Sequence, residues 1–151
     1  MKAITKAILA VALLLQVSSA QVFSSIYDAI PEAQKQGKLT IFFILSNTCP
    51  HCHELMADVN SNQKLANYLN ENFIVAITDL TKGGKVPSDL PFSGTTPTTM
   101  IITPSGQVVG DPIEGKIPSD MLLEYLDKIE TLKKSYVGGW KWVIIVCMAS
   151  I

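Results

Sequence analysis

The chain has no arginine, only two histidines and only three cysteines among its 151 residues. Each shortage closes off a class of function. Twelve lysines face thirteen acids, a net charge of −1, so there is no basic surplus to track a phosphate backbone, and nucleic acid is not expected as a partner. Beyond one Cys-x-x-Cys at Cys49–Cys52 there is no second such pair and no separated His pair. A structural zinc site takes its ligands from two separated knuckles, so zinc is the weaker reading even though Cys49, His51, Cys52 and His53 are all ligand types, and no metal is expected. No internal repeat or low-complexity block is present, which leaves one domain with a core of its own. Neither apolar end reaches the roughly 20 residues that an ordinary membrane helix needs.

Those two ends still carry information. Lys2 and Lys6 precede an apolar stretch from Ala7 to Leu15 and then Val17, Ser18, Ser19 and Ala20, small at the positions a signal peptidase reads. Residues 1–20 are therefore expected to be a cleaved signal peptide, with a mature chain from Gln21. Without Lys2 and Lys6, ten lysines face thirteen acids, a net charge of −3. Export to a periplasmic or similar oxidising space permits lasting disulfide chemistry that a cytosol mostly forbids. At the other end, residues 138–151 follow the domain, expected over 21–137, after the break Gly138-Gly139. From Trp140 this tail would span about 18 Å as a helix, short of the roughly 30 Å hydrocarbon core. Two readings are open: an extra apolar strand packed on the domain, or a segment over 140–151 held at the membrane interface by Trp140 and Trp142, with Cys147 buried and inert. The β-branched run to the chain end, with no polar face, is the ground for the membrane-associated tail.

The stretch that organises the rest is Thr48-Cys49-Pro50-His51-Cys52-His53, directly after the apolar run Leu39–Leu45. A β-rich run followed by proline at a first helical position predicts a buried strand feeding a helix, with Cys49 at the helix N-terminus and Cys52 one turn inside. Only a thiolate attacks a disulfide, and a free cysteine with a pKa of about 8.5 is mostly protonated at neutral pH. A helix dipole contributes roughly 0.3 to 2 kcal/mol, so it lowers a thiol by at most about 1.5 units. A larger shift is expected from His51, whose imidazole can donate a hydrogen bond or a charge to the Cys49 thiolate and make the disulfide more oxidising. Cys52 is then the resolving thiol. A purely structural bridge is the competing reading, but so short a loop constrains the unfolded chain little. His53 reads as an exposed helix residue.

Along the chain, Ile26, Ala29, Ile30 and Ala33 predict a short amphipathic helix capped at Gly37, kinked by Pro31 or starting there. Leu65, Ala66, Tyr68 and Leu69 predict another, ending near Asn72, and Phe73–Leu80 a second buried strand parallel to the first. Asp79 to Thr95, with Gly83, Gly84, Pro87 and Pro91, reads either as a binding loop or as a surface insertion. Gly94 to Ile102 follows as a turn entering a strand, and Pro104-Ser105-Gly106-Gln107 closes a hairpin with Val108 and Val109. Ser119 and Asp120 are expected to cap a last helix with Leu122, Tyr125, Leu126, Ile129 and Leu132 on one face and Lys128, Lys133 and Lys134 toward its negative end.

This order resembles the thioredoxin fold over roughly Ser24 to Lys134. The class implied is α/β, a central mixed β-sheet flanked by helices, with no room between Cys52 and Pro97 for a helical insertion. Cys49-Pro50-His51-Cys52 is the tetrapeptide of DsbA-type oxidases, whereas Thr48, Cys52-His53 and Gly94-Thr95-Thr96-Pro97 are similar to DsbC and DsbG isomerase domains. The resemblance implies a redox-active Cys49–Cys52 disulfide and no other cofactor. It also implies a cis peptide at Thr96-Pro97, and a substrate segment bound beside the disulfide by Thr95, Thr96 and Pro97. Phe43 departs from the pattern: thioredoxin and DsbA commonly carry a buried acid six residues before the first cysteine, so Cys52 must lose its proton to water or another group.

The expected function is an exported thiol–disulfide oxidoreductase acting on protein thiols or disulfides. Cys49 attacks, Cys52 resolves, His51 and Pro50 shape the site, and a membrane redox partner exchanges electrons with it. Oxidase, isomerase and reductase directions all stay open. A non-enzymatic binding module using the 79–95 loop is the alternative.

Overall fold

The computed structural model describes the backbone of residues 21–148 and the side chains of residues 21–133. The expected signal peptide lies outside the described residues, and so do the side chains of the tail, Cys147 included. In chain order the elements are β1 (Val22–Phe23), α1 (Ile26–Gln36), β2 (Leu39–Leu45), α2 (Pro50–Ser61), α3 (Gln63–Asn72), β3 (Phe73–Asp79), β4 (Thr98–Ile102), β5 (Ile113–Glu114) and α4 (Ser119–Met148). A single 3₁₀ turn, Leu80–Lys82, is the only helical piece between β3 and β4, so no helical insertion is present there.

The strands form one mixed sheet in the order β1-β3-β2-β4-β5. β2 runs parallel to β3, with Leu39 opposite Phe73 and Leu45 opposite Asp79, and antiparallel to β4, with Thr40 opposite Ile102. Every residue of β2 is buried, because helices cover both faces of the sheet and a central strand then has no wet side. Alternation along it divides the core. Ile41, Phe43 and Leu45 pack with Cys52, Leu55, Leu65, Leu122 and Leu126 of α2, α3 and α4, whereas Phe42 and Ile44 pack with Ile26, Ala29 and Ala33 of α1. Full burial of each Ile, Leu or Phe among them stabilises the fold by roughly 1.5–3 kcal/mol.

The helix ends follow from local chemistry. Ser25 caps α1 by accepting the Tyr27 N–H at 3.2 Å, and Gly37 closes it at φ 62°, a left-handed turn that glycine adopts without penalty. Pro31 neither begins nor ends this helix. It lies exposed in the interior, so the carbonyl whose hydrogen bond it removes can face water. Asn62 ends α2 and begins α3, giving its N–H to the Asp58 carbonyl and accepting the Leu65 N–H at 3.1 Å.

Three sequence expectations change, and one element was not foreseen. The hairpin after β4 is interrupted: Val108 makes one bridge to Ile102, and pairing resumes only at Ile113–Glu114, opposite Thr99 and Thr98. Edge strand β1 pairs with β3 over two residues, too few to leave a pattern. Ser119 is the first residue of α4 and not its cap, since the Asp58 carboxylate of α2 accepts its N–H at 2.9 Å and its hydroxyl at 3.3 Å. Finally α4 continues through Gly138 and Gly139 to Met148, so the backbone of 140–148 is helix and neither a strand nor a segment beyond a break. Glycine in a helix costs about 1 kcal/mol but raises no steric bar. Lys133 therefore lies in mid-helix, paired with Glu130 at 3.3 Å. Among the described residues no helix is long and apolar enough to cross a membrane.

Candidate active site

The end of β2 delivers the chain into a tight turn in which the Cys49 N–H donates to the Ser46 carbonyl at 3.1 Å. Cys49 is then the N-cap of α2, with extended backbone (φ −95°, ψ 112°), and Pro50 opens the helix where a missing N–H costs nothing. The cap acceptor is sulfur: the Cys52 N–H points at Cys49 Sγ from 3.3 Å. Both cysteines are free thiols here. Cys49 is half-buried and Cys52, on the inward face of α2, is buried at 3% exposure.

The two thiols titrate in opposite directions. Burial pushes the Cys49 thiol up, but hydrogen bonds from the Cys52 side chain and N–H, then from Thr96 and the His51 backbone, outweigh it and hold Cys49 below the ordinary thiol value. Cys52 is pushed up by burial first and then by its hydrogen bond with Cys49. A half-exposed, more acidic sulfur thus lies beside a buried, less acidic one.

The Thr96-Pro97 peptide is cis and faces this pair across 47 residues of chain, with the Cys49 thiol donating to the Thr96 carbonyl at 3.5 Å. Pro97 is buried and its carbonyl accepts the Gly115 N–H at 2.8 Å. Thr95 stays on the surface: its carbonyl accepts the Thr98 hydroxyl at 2.7 Å and its side chain bonds Ser93.

His51 is placed otherwise than expected. Its ring is turned to Glu54, with Nδ1 3.3 Å from Oε2, and what reaches Cys49 from this residue is the backbone N–H. Lys116, on the approach to α4, shares the same Glu54 oxygen at 3.4 Å. The His51 side chain first holds the Glu54 carboxyl below its usual range and Lys116 adds to that. The three-residue spacing from His51 to Glu54 was a readable signal; Lys116, 62 residues on, left none. Phe43 is buried among the side chains that surround Cys52, so no acid stands there. His53 is exposed, as expected, but it is tied down, its Nε2 donating to the Asn47 carbonyl at 2.8 Å. Among the described residues no three His, Cys, Asp or Glu side chains group as metal ligands would.

A family model described as a thioredoxin-like domain matches residues 26–130. Among solved structures, a thioredoxin from Thermus thermophilus superposes with a TM-score of 0.58 at 22% identity, covering 74% of this chain and 88% of that one. The oxidised C-terminal domain of DsbD from Neisseria meningitidis gives 0.57 at 16% identity, with 72% and 98% covered. A disulphide isomerase from Xylella fastidiosa Temecula1 gives 0.54 at 19%, with 70% and 88% covered. At these identities the likeness is one of fold. No curated protein sequence matches the chain.

Proposed function

The chain belongs to the thioredoxin-like domain family; from that premise we propose that it is an exported thiol–disulfide oxidoreductase exchanging disulfides with protein substrates through Cys49 and Cys52. The observation that carries this reading is the asymmetry of the two thiols. Cys49, lowered and half-exposed at the head of α2, suits attack on an outside disulfide, while buried Cys52, raised and one turn inside, suits resolution.

The step balances in sulfur and electrons. The Cys49 thiolate attacks a substrate disulfide, forming a mixed disulfide and releasing one substrate thiolate. Cys52 loses its proton and attacks Cys49 Sγ; the Cys49–Cys52 bond forms, the bond to substrate breaks, and the second substrate sulfur leaves and is protonated. Two electrons pass from the protein dithiol to the substrate, and the reverse sequence oxidises a substrate dithiol. The place of Thr96 beside Cys49 supports a substrate segment lying along it, with Pro97 behind.

Cys52→Ala tests the order of attack. It is expected to accumulate mixed disulfides with exported proteins, and Cys49→Ala few or none; equal trapping by both removes the order, and trapping by neither returns the chain to a binding module using the 79–95 loop. The reduction potential sets direction, with values near about −120 mV marking an oxidant and near about −270 mV a reductant. In this reading residues 1–20 direct export, and the 140–151 tail lies at the membrane interface near a membrane redox partner.

A further inference from the structure

A thiol that is buried and raised must give up a proton before it can resolve a mixed disulfide, and the groups that bond Cys52, the Thr96 side chain and the Ser46 backbone, are not bases, while Phe43 and Leu55 are its apolar neighbours in the same cluster. A cavity of about 260 Å³ nevertheless reaches it. Cys52, His53, Asp79 and Lys82 all line that space. We propose that His53 is the proton acceptor for Cys52, taking the thiol proton through water in this cavity during resolution. The proposal rests on the disulfide-exchange reading above.

The hydrogen bonds select the imidazole over the carboxylate. A carbonyl only accepts, so the 2.8 Å contact to Asn47 places a proton on His53 Nε2 and leaves Nδ1 of the neutral ring as the basic nitrogen. The Asn47 bond also anchors the ring on the loop leading to Cys49. Asp79, across the cavity, is already engaged: its Oδ1 accepts from the Thr81 hydroxyl and N–H, and Oδ2 pairs with Lys82 at 3.6 Å. The Thr81 hydroxyl above all holds that carboxyl below its usual range, which makes it a poor resting place for a proton at neutral pH. Lys82 is a cation and accepts nothing. Glu54, the charged neighbour on α2 itself, is engaged by His51 and Lys116.

In the step, the Cys52 S–H bond breaks, its proton passes through water to Nδ1, and the sulfur lone pair forms the bond to Cys49 Sγ as the substrate thiolate departs. The imidazolium returns its proton to solvent or to that thiolate. A neutral imidazole can accept a proton in the neutral range with no charge held beforehand, whereas a carboxylate is charged before it accepts one.

The full chain is reduced, and Cys49 is loaded with an aromatic disulfide reagent whose thionitrobenzoate leaving group is coloured. Loading expels the first thionitrobenzoate, and stopped-flow absorbance follows release of the second by Cys52 from pH 5 to 9, roughly the span in which imidazoles titrate. The parent is expected to show an inflection in the neutral range. His53→Gln keeps a side-chain N–H for Asn47 but has no basic nitrogen; its release is expected to fall by about tenfold or more at neutral pH and to rise steadily with pH without the inflection. Free imidazole should restore release to His53→Ala, and Asp79→Asn should keep the parent profile. Parent rate and profile in His53→Gln, or loss of the inflection in Asp79→Asn instead, overturns the assignment. Release of the first equivalent on labelling with no second equivalent from Cys52 in the parent overturns the exchange reading itself, and the relay with it.

Discussion

Cys49 and Cys52 are chemically identical side chains three residues apart, and position alone makes them different. One caps a helix and receives its N–H at 3.3 Å; the other faces the core. Since the Cys52 thiol first and then the Cys52 N–H, Thr96 and the His51 backbone lower Cys49, while the His51 ring is on Glu54, alkylation of Cys49 against pH is expected to inflect below the ordinary thiol value of about 8.5, and His51→Ala to move that point little. A His51→Ala variant titrating like a free thiol would reinstate the imidazole as the main cause. Elsewhere in the core the hydroxyl of Thr40 is buried without a partner on fully buried β2. An unsatisfied buried hydroxyl costs about 1–3 kcal/mol, so Thr40→Val, which keeps the shape, is expected to raise the urea midpoint by the equivalent of about 1 kcal/mol. An unchanged or lower midpoint would mean that the hydroxyl finds water.

Polar side chains tie α2 and α3 to α4, although three strands separate α3 from α4 along the chain. The Asp58 carboxylate accepts from the first residue of α4, and Asn62 gives its amide to Ser119 at 3.0 Å and Asp120 at 3.1 Å. Asp58→Ala removes a cap acceptor supplied by another helix and is expected to cost about 0.5–2 kcal/mol in chemical unfolding, with Asp58→Asn milder. Between α3 and α4, Tyr68 donates to Asp127 at 3.4 Å, and its phenol is pushed up to about 12, by burial first and then by Asp127 and Glu130. The fold holds the neutral phenol. Its contribution is complete below the ordinary tyrosine value of about 10 and is lost as pH rises from there toward about 12. Tyr68→Phe should therefore show a shallower fall in Tm across that alkaline range than the parent; an equal fall would place the alkaline loss elsewhere.

For the whole molecule, the open matter is what α4 does beyond the domain. If the 140–151 segment lies at a membrane interface, the full-length chain should partition with membranes while a chain ending at Val137 stays soluble with a similar Tm. Equal solubility with a much earlier melt in the shorter chain would make that segment part of the core. What the sequence by itself determined is the material within reach of a few residues: the largely apolar β2, the Gly37 end of α1, the Cys49 cap with Pro50 behind it, and the inward turn of Cys52. These are settled by capping, by proline and by apolar periodicity, all of which act locally. Only the tertiary structure decided the rest. Two-residue strands at the sheet edges exist through pairing and leave no period; Thr96 meets Cys49, Asp58 meets Ser119 and Lys116 meets Glu54 across 47, 61 and 62 residues because the sheet order brings them together. His51 and His53 lie two apart on one helix, yet one turns to Glu54 and the other to Asn47, a choice made by which acceptor the fold places within reach.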